Sequence, residues 1–224
     1  MKKVSLVAMA AAAMFITSCN QKSSETSTTE EQEVAEKQGE VYAVNLETSK
    51  VNWKAFHKGG FAPRWGTLNI KSGEVSVDGE NLTAGDFVID MQSLTVDPAS
   101  VTEKDKKSSD LQDHLKSADF FDVAKNPTAA FTISSVSDLA TPPEGAIAGA
   151  NKTISGNLTL QAKTMNVSFP AKVTVADGTV AIAGNFTVNR TDWGLKFGTD
   201  EADPAEWMIS KDIEIGISVQ AAKK

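Results

Sequence analysis

The feature that most constrains this chain is an alternation of apolar and polar residues that changes parity across Asp177-Gly178. Before the turn the odd positions Met165, Val167, Phe169, Ala171, Val173 and Val175 are apolar. After it the even positions Val180, Ile182, Gly184, Phe186 and Val188 take over. Side chains alternate between the two faces of a strand, and a two-residue Asp-Gly loop joins antiparallel strands with this parity change. The pattern predicts a long hairpin. In it Val175 faces Val180, Val173 faces Ile182, Ala171 faces Gly184, Phe169 faces Phe186, Val167 faces Val188 and Met165 faces Arg190. One face stays apolar until Arg190, and the other, with Lys172 and Ser168, suits water. Pro170 lacks an N–H, so it marks an edge, a bulge or an unpaired point.

The same period recurs along the chain. Val51, Trp53 and Ala55 show it, as do Leu68 and Ile70, Val75 and Val77, and Phe87, Ile89 and Met91. Phe131 and Ile133, Ile154 to Leu160, and Ile209 to Val219 continue it. Half-polar strands between turn residues predict an all-β antiparallel fold. Strands of this length, running to roughly 40 Å, close into a barrel or pack as a sandwich. An eight-stranded barrel is filled by its own side chains or holds one small ligand. The expected apolar lining is Trp53, Phe131, Leu158, Val167, Phe169, Ala171, Val173, Ile182, Gly184, Phe186 and Val188. The small pair Ala171/Gly184 leaves room beside Phe169/Phe186 for a ligand channel or for a large residue of a facing strand. Arg190 and Trp193 stand at the channel end. Arg190 would meet a polar ligand head there or pair with Asp192 or Asp113. One helix is predicted, with Ser109 as N-cap and Gln112 completing a capping box. The stretches 95–108 and 138–150 read as loops.

The N-terminus has its own logic. Lys2 and Lys3 precede the apolar run Val4–Ile16. That run is too short for a membrane helix, which needs about 20 residues, but suits a signal-peptide core. Ile16-Thr17-Ser18-Cys19 resembles the bacterial lipobox, which implies cleavage after residue 18 and acylation of Cys19. Cys19 is the sole cysteine, so neither an internal disulfide nor a Cys-based metal cage can form. The following acidic, Ser/Thr-rich stretch lacks core residues and reads as a disordered tether through residue 45, with the folded domain at 46–224. Loss of Lys2 and Lys3 takes the formal charge from −7 to −9, which repels nucleic acid. The expected location is the bacterial cell envelope, exported and lipid-anchored on its periplasmic or surface side.

No serine elbow, phosphate-cradling loop or dinucleotide fingerprint is present. His57 and His114 have acidic neighbours but no third metal ligand at suggestive spacing. The chain reads as a binding protein rather than an enzyme, with no cofactor or metal expected.

Asp113-His114-Leu115-Lys116-Ser117, Asp119-Phe120-Phe121-Asp122, Asn126-Pro127 and Phe131 resemble the HLKS–DFFD–P–F signature of YceI-like proteins. Asp90-Met91-Gln92-Ser93-Leu94, Ser155-Gly156-Asn157-Leu158-Thr159-Leu160 and Asn189-Arg190-Thr191-Asp192 continue the resemblance, which covers about residues 46–220. It implies an extended lipocalin-like barrel of about eight strands that binds a polyisoprenoid or similar long apolar amphiphile, an isoprenoid quinone or fatty-acid-like lipid included. Such a protein would carry or store its lipid. The alternative is a structural or protein-interaction barrel without a ligand. A homodimer is left open.

Overall fold

The computed structural model describes residues 24–57, 59–199 and 208–224. The leader, Cys19 and Trp207 lie outside these residues. In chain order the elements are β1 (Ser24–Glu25), β2 (Ser27–Thr29), β3 (Glu40–Val44), β4 (Lys50–His57), β5 (Arg64–Asp78) and β6 (Asn81–Asp90). Then come α1 (Ser108–Lys116), β7 (Thr128–Asp138), β8 (Lys152–Leu160), β9 (Lys163–Ala176), β10 (Thr179–Asn189) and β11 (Ile209–Lys223). Short 3-10 turns lie at Met91–Ser93, Pro98–Ser100 and Arg190–Trp193.

The long strands close into an eight-position antiparallel barrel. From β5 to β11 each strand pairs with the next, and β3 and β4 share one position between β11 and β5. The break between β3 and β4 is mended by Ser49. Its hydroxyl donates to the Gln220 carbonyl at 3.3 Å and accepts the Gln220 N–H at 3.0 Å, which keeps β11 hydrogen-bonded across the gap. Closure removes the exposed edges that make open antiparallel sheets prone to aggregation.

The hairpin register holds at its closed end. Val175 pairs with Val180, Val173 with Ile182 and Ala171 with Gly184. There the ladder stops, beside Pro170. The next three expected pairs do not form as backbone pairs, although the rings of Phe169 and Phe186 still stack at 4.1 Å and 13°. The gap between β9 and β10 is filled by the N-terminal segment. β1 runs parallel to β10 at Phe186 and Thr187, and β2 runs antiparallel to β9 at Asn166–Ser168. The Thr26 hydroxyl donates to the Thr187 carbonyl.

This corrects the expectation of a disordered tether through residue 45. From residue 24 the segment is laid against the barrel. Gln32 and Asn157 bond reciprocally: the Gln32 N–H reaches Asn157 Oδ1 at 3.0 Å, and Asn157 Nδ2 reaches the Gln32 carbonyl at 2.7 Å. The Ala35 N–H donates to the Ile133 carbonyl at 3.0 Å, where the β7–β8 register shifts. Lys37 pairs with Glu74 and Asp86 at 3.0 and 2.8 Å. β3 then enters the wall, with Tyr42 and Val44 buried. Polar composition rules out a core made by the segment itself. It does not rule out docking by hydrogen bonds onto a sheet already formed.

The helix also starts differently. α1 begins at Ser108 behind Lys107, with no side-chain cap. Ser109 bonds its neighbour Asp110 instead, and Gln112 accepts the Val96 N–H at 3.3 Å, so the capping-box residues are used elsewhere. Asp110 in the first turn and His114 and Lys116 in the last still match the helix dipole.

Candidate functional site

Inside the barrel lies a cavity of about 490 Å³, within the range of ligand pockets. Its walls are almost wholly apolar. β4 gives Val51 and Trp53, β5 gives Leu68 and Ile70, β6 gives Phe87 and Ile89, and β11 gives Ile213, Ile215 and Ile217. At the open end α1 lies across the mouth. Leu111 and Leu115 face inward with Asp110 and His114, as spacings of three and four on one helical face require. Gln161, in the β8–β9 turn, donates to the Phe120 carbonyl at 2.7 Å and ties the segment after the helix to the wall.

Of the expected lining, the structure brings Trp53, Phe131, Leu158, Phe169, Ile182, Phe186, Val188 and Arg190 to the cavity. Val167, Ala171, Val173, Gly184 and Trp193 lie outside its lining. The space beside Ala171/Gly184 is not a channel. A Cβ on Gly184 would sit 3.4 Å from the Phe169 ring, so that ring occupies the room the small pair leaves. Trp193 is buried and donates from Nε1 to the Leu158 carbonyl at 2.9 Å. Trp53 Nε1 similarly reaches the Thr95 carbonyl at 3.1 Å. Both indoles expose an apolar body to packing while their N–H groups are satisfied.

Arg190 is buried, and among the described residues none of its hydrogen bonds goes to a carboxylate. Nε donates to the Ser210 carbonyl at 2.9 Å and Nη1 to Leu195 at 2.6 Å. Nη2 donates to Phe197 at 2.8 Å and Ile209 at 3.2 Å. The expected ion pair with Asp192 or Asp113 is therefore replaced by a clasp on backbone carbonyls around the mouth. Burial holds the guanidinium below its ordinary pKa.

His57 and His114 both reach the cavity mouth. His114 Nε2 lies 3.2 Å from Asp119 Oδ2, and its ring meets Phe120 and Phe197 edge-on at 5.2 and 5.0 Å. No group of three or more His, Cys, Asp or Glu suited to a metal occurs among the described residues. The β11 isoleucines and the Phe87/Ile89 pair are lining residues that the hairpin argument did not single out. Their alternation was the available signal.

A closed antiparallel barrel around an apolar cavity with a helix at its mouth defines a class of small barrel domains with interior room for one small ligand. Within that class the chain belongs to the YceI-like domain family, whose model matches residues 42–221. A UPF0312 protein of Pseudomonas aeruginosa is 28% identical over 172 residues, covering 74% of this chain and 77% of that protein. A UPF0312 protein of Shewanella sp. is 27% identical over 183 residues, covering 79% and 83%. Among solved structures, Burkholderia cenocepacia BcnA shares the fold with a TM-score of 0.56 at 20% identity, covering 80% of this chain and 99% of BcnA. A polyisoprenoid binding domain from Saccharophagus degradans shares it with a TM-score of 0.52 at 14% identity, covering 82% and 98%.

Proposed function

We propose that this protein holds the apolar tail of a lipid-like amphiphile inside its barrel, headgroup at the α1 end, and stays at the cell envelope through acyl chains on Cys19. The observation that carries the reading is the cavity of about 490 Å³, walled by apolar side chains and open at the α1 end. A polar metabolite would find few partners there, because an unpaired polar group in such surroundings costs several kcal/mol. A fatty or isoprenoid chain would gain roughly 0.8 kcal/mol for each methylene it buries. The polyisoprenoid-binding domain with the same fold supports an isoprenoid as one candidate tail. Carriage or storage follows from a ligand buried in the interior while its carrier remains by the membrane.

The test is native mass spectrometry of the protein purified from its own membrane. A co-purifying lipid, together with acyl mass on Cys19, is the expected result. A clean apo mass and no uptake of an apolar probe would overturn the binding reading. An unmodified Cys19 would overturn the anchor alone.

A further inference from the structure

Resting on the anchor proposed at Cys19, the structure points to the way the barrel meets its membrane. We infer that the cavity mouth is a bilayer-docking face, seated in lipid by Phe61 and Phe197, so that a tail passes between bilayer and cavity without crossing water.

The leash is short. The N-terminal segment is laid on the wall from Ser24, whose backbone pairs with Phe186. Cys19 stands five residues earlier, and five residues at full extension reach roughly 17 Å. From the level of Phe186 the mouth end of β10, at Asn189, is three residues away, or roughly 10 Å. The far end of the barrel, at Thr179, is seven residues the other way, or roughly 23 Å. Acyl chains on Cys19 therefore reach a membrane lying against the mouth and fall short of one lying against the far end. A membrane along the flank is within reach too. The outward side chains of β10 there, Asn185, Thr187 and Asn189, are polar and offer lipid nothing to hold.

The mouth offers two rings. Among the described residues the exposed large apolar side chains are Val34, Leu46, Phe61 and Phe197. Val34 lies on the N-terminal segment. Leu46 follows β3 at the far end, where Val44 pairs with Ala221 and Ala221 with Val180. Phe61 lies in the turn between β4 and β5, flanked by the lining residues His57 and Arg64, and is 59% exposed. The His57 N–H donates to the Phe61 carbonyl at 2.9 Å and the Gly60 N–H to the His57 carbonyl at 3.0 Å, so the ring is carried on a closed turn. Phe197, in the connection from β10 to β11, is 43% exposed. Arg190 Nη2 grips its carbonyl, and its ring rests on Phe120 at 4.8 Å and His114 at 5.0 Å. The buried Arg190 clasp thus presents a ring to the outside. Phenylalanines on an interfacial surface sink into the boundary between headgroups and acyl chains. Asp105, Lys106, Lys107 and Asp110 at the same mouth balance in charge, so ring insertion rather than attraction to anionic lipid is the holding force.

The experiment uses the full chain, purified with acyl mass on Cys19 and reconstituted in phosphatidylcholine vesicles. Cys19 is the sole native cysteine. With its thiol acylated, Phe61→Cys, Phe197→Cys and, for the far end, Leu46→Cys each give one site for an environment-sensitive fluorophore. Labels at positions 61 and 197 should shift to the blue on reconstitution and lose emission when the vesicles carry a nitroxide lipid. The label at position 46 should do neither. Phe61→Cys serves alone if loss of the Phe197 ring loosens its loop. Equal quenching at position 46, or no quenching at positions 61 and 197, would overturn the docking face. An unmodified Cys19 would overturn the anchor and the leash with it. No ligand enters this measurement, so its failure is distinct from a failure of tail binding, which native mass spectrometry reads separately.

Discussion

Gly156 shows how far single atoms govern this barrel. A Cβ there would lie 2.3 Å from Phe131 Cζ and 2.8 Å from the Thr132 carbonyl oxygen. Phe131 keeps its place in the cavity wall because β8 offers it bare backbone. Gly156→Ala should cost about 1–3 kcal/mol, as overpacking of a filled site does, with a lowered urea midpoint as the readout. The same logic changes the meaning of Gly184→Phe. From the alternation alone it reads as a plug for a channel, but in the structure the new ring would collide with Phe169, so it probes packing instead. At this scale the sequence was legible for inward or outward direction and illegible for occupancy. Val167 and Phe169 obey one alternation, yet only Phe169 reaches the cavity, because depth depends on strands far away in the chain. Arg190 was legible as an inward-pointing cation. Its partners were not, since Leu195, Phe197, Ile209 and Ser210 offer carbonyls that carry no side-chain signal.

Among the elements, the N-terminal segment is the one that composition concealed. Its contacts with Asn157, Ile133 and Glu74 join residues separated by long stretches of chain, so no local pattern announces them. Glu74 of β5 gathers Lys37 of that segment and Lys224 at the end of the described chain. Hydrogen bonds from Lys224 and then Lys37 hold its carboxyl down to about 2. Donating hydrogen bonds to Asp86 and Glu74 in turn pushes Lys37 up to about 12. A carboxylate whose folded pKa is depressed adds stability above its unfolded pKa, and that stability is lost as the pH falls through the folded value. Glu74→Gln should therefore narrow the stability difference between pH 7 and pH 2, with variant and wild type converging at the acid end of a urea-midpoint series. Coincident midpoints already at pH 7 would show that the cluster is too solvent-screened to matter. The long strands, by contrast, were readable throughout, because a half-buried sheet imposes period two on every one of them.

For the whole molecule, closure is shared between distant parts of the chain. The β9–β10 ladder covers only the closed half of that seam, and β1 and β2 complete the rest. Deleting residues 24–29 should leave a folded barrel with an unsealed seam. Amide exchange should accelerate at Asn166–Ser168 and at Phe186 and Thr187, and the urea midpoint should fall. Unchanged exchange at those residues would mean that the two strands close on each other once the segment is gone. The eight-position closed architecture was foreseeable from long one-sided strands together with the family signature. The splice of the N-terminal segment into the wall was not, because it depends on a ladder ending beside Pro170.

That splice has a kinetic consequence. The earliest described residues of the chain pair with strands made some 140 residues or more later, and β11, last of all, must meet β3 and β4 as well as β10. Contacts of such long sequence separation are slow to form, since their loop entropy is lost before any pairing compensates. The wall cannot be sealed while the chain is still emerging. Residues 24–29 have no strand to pair with until β9 and β10 have been made.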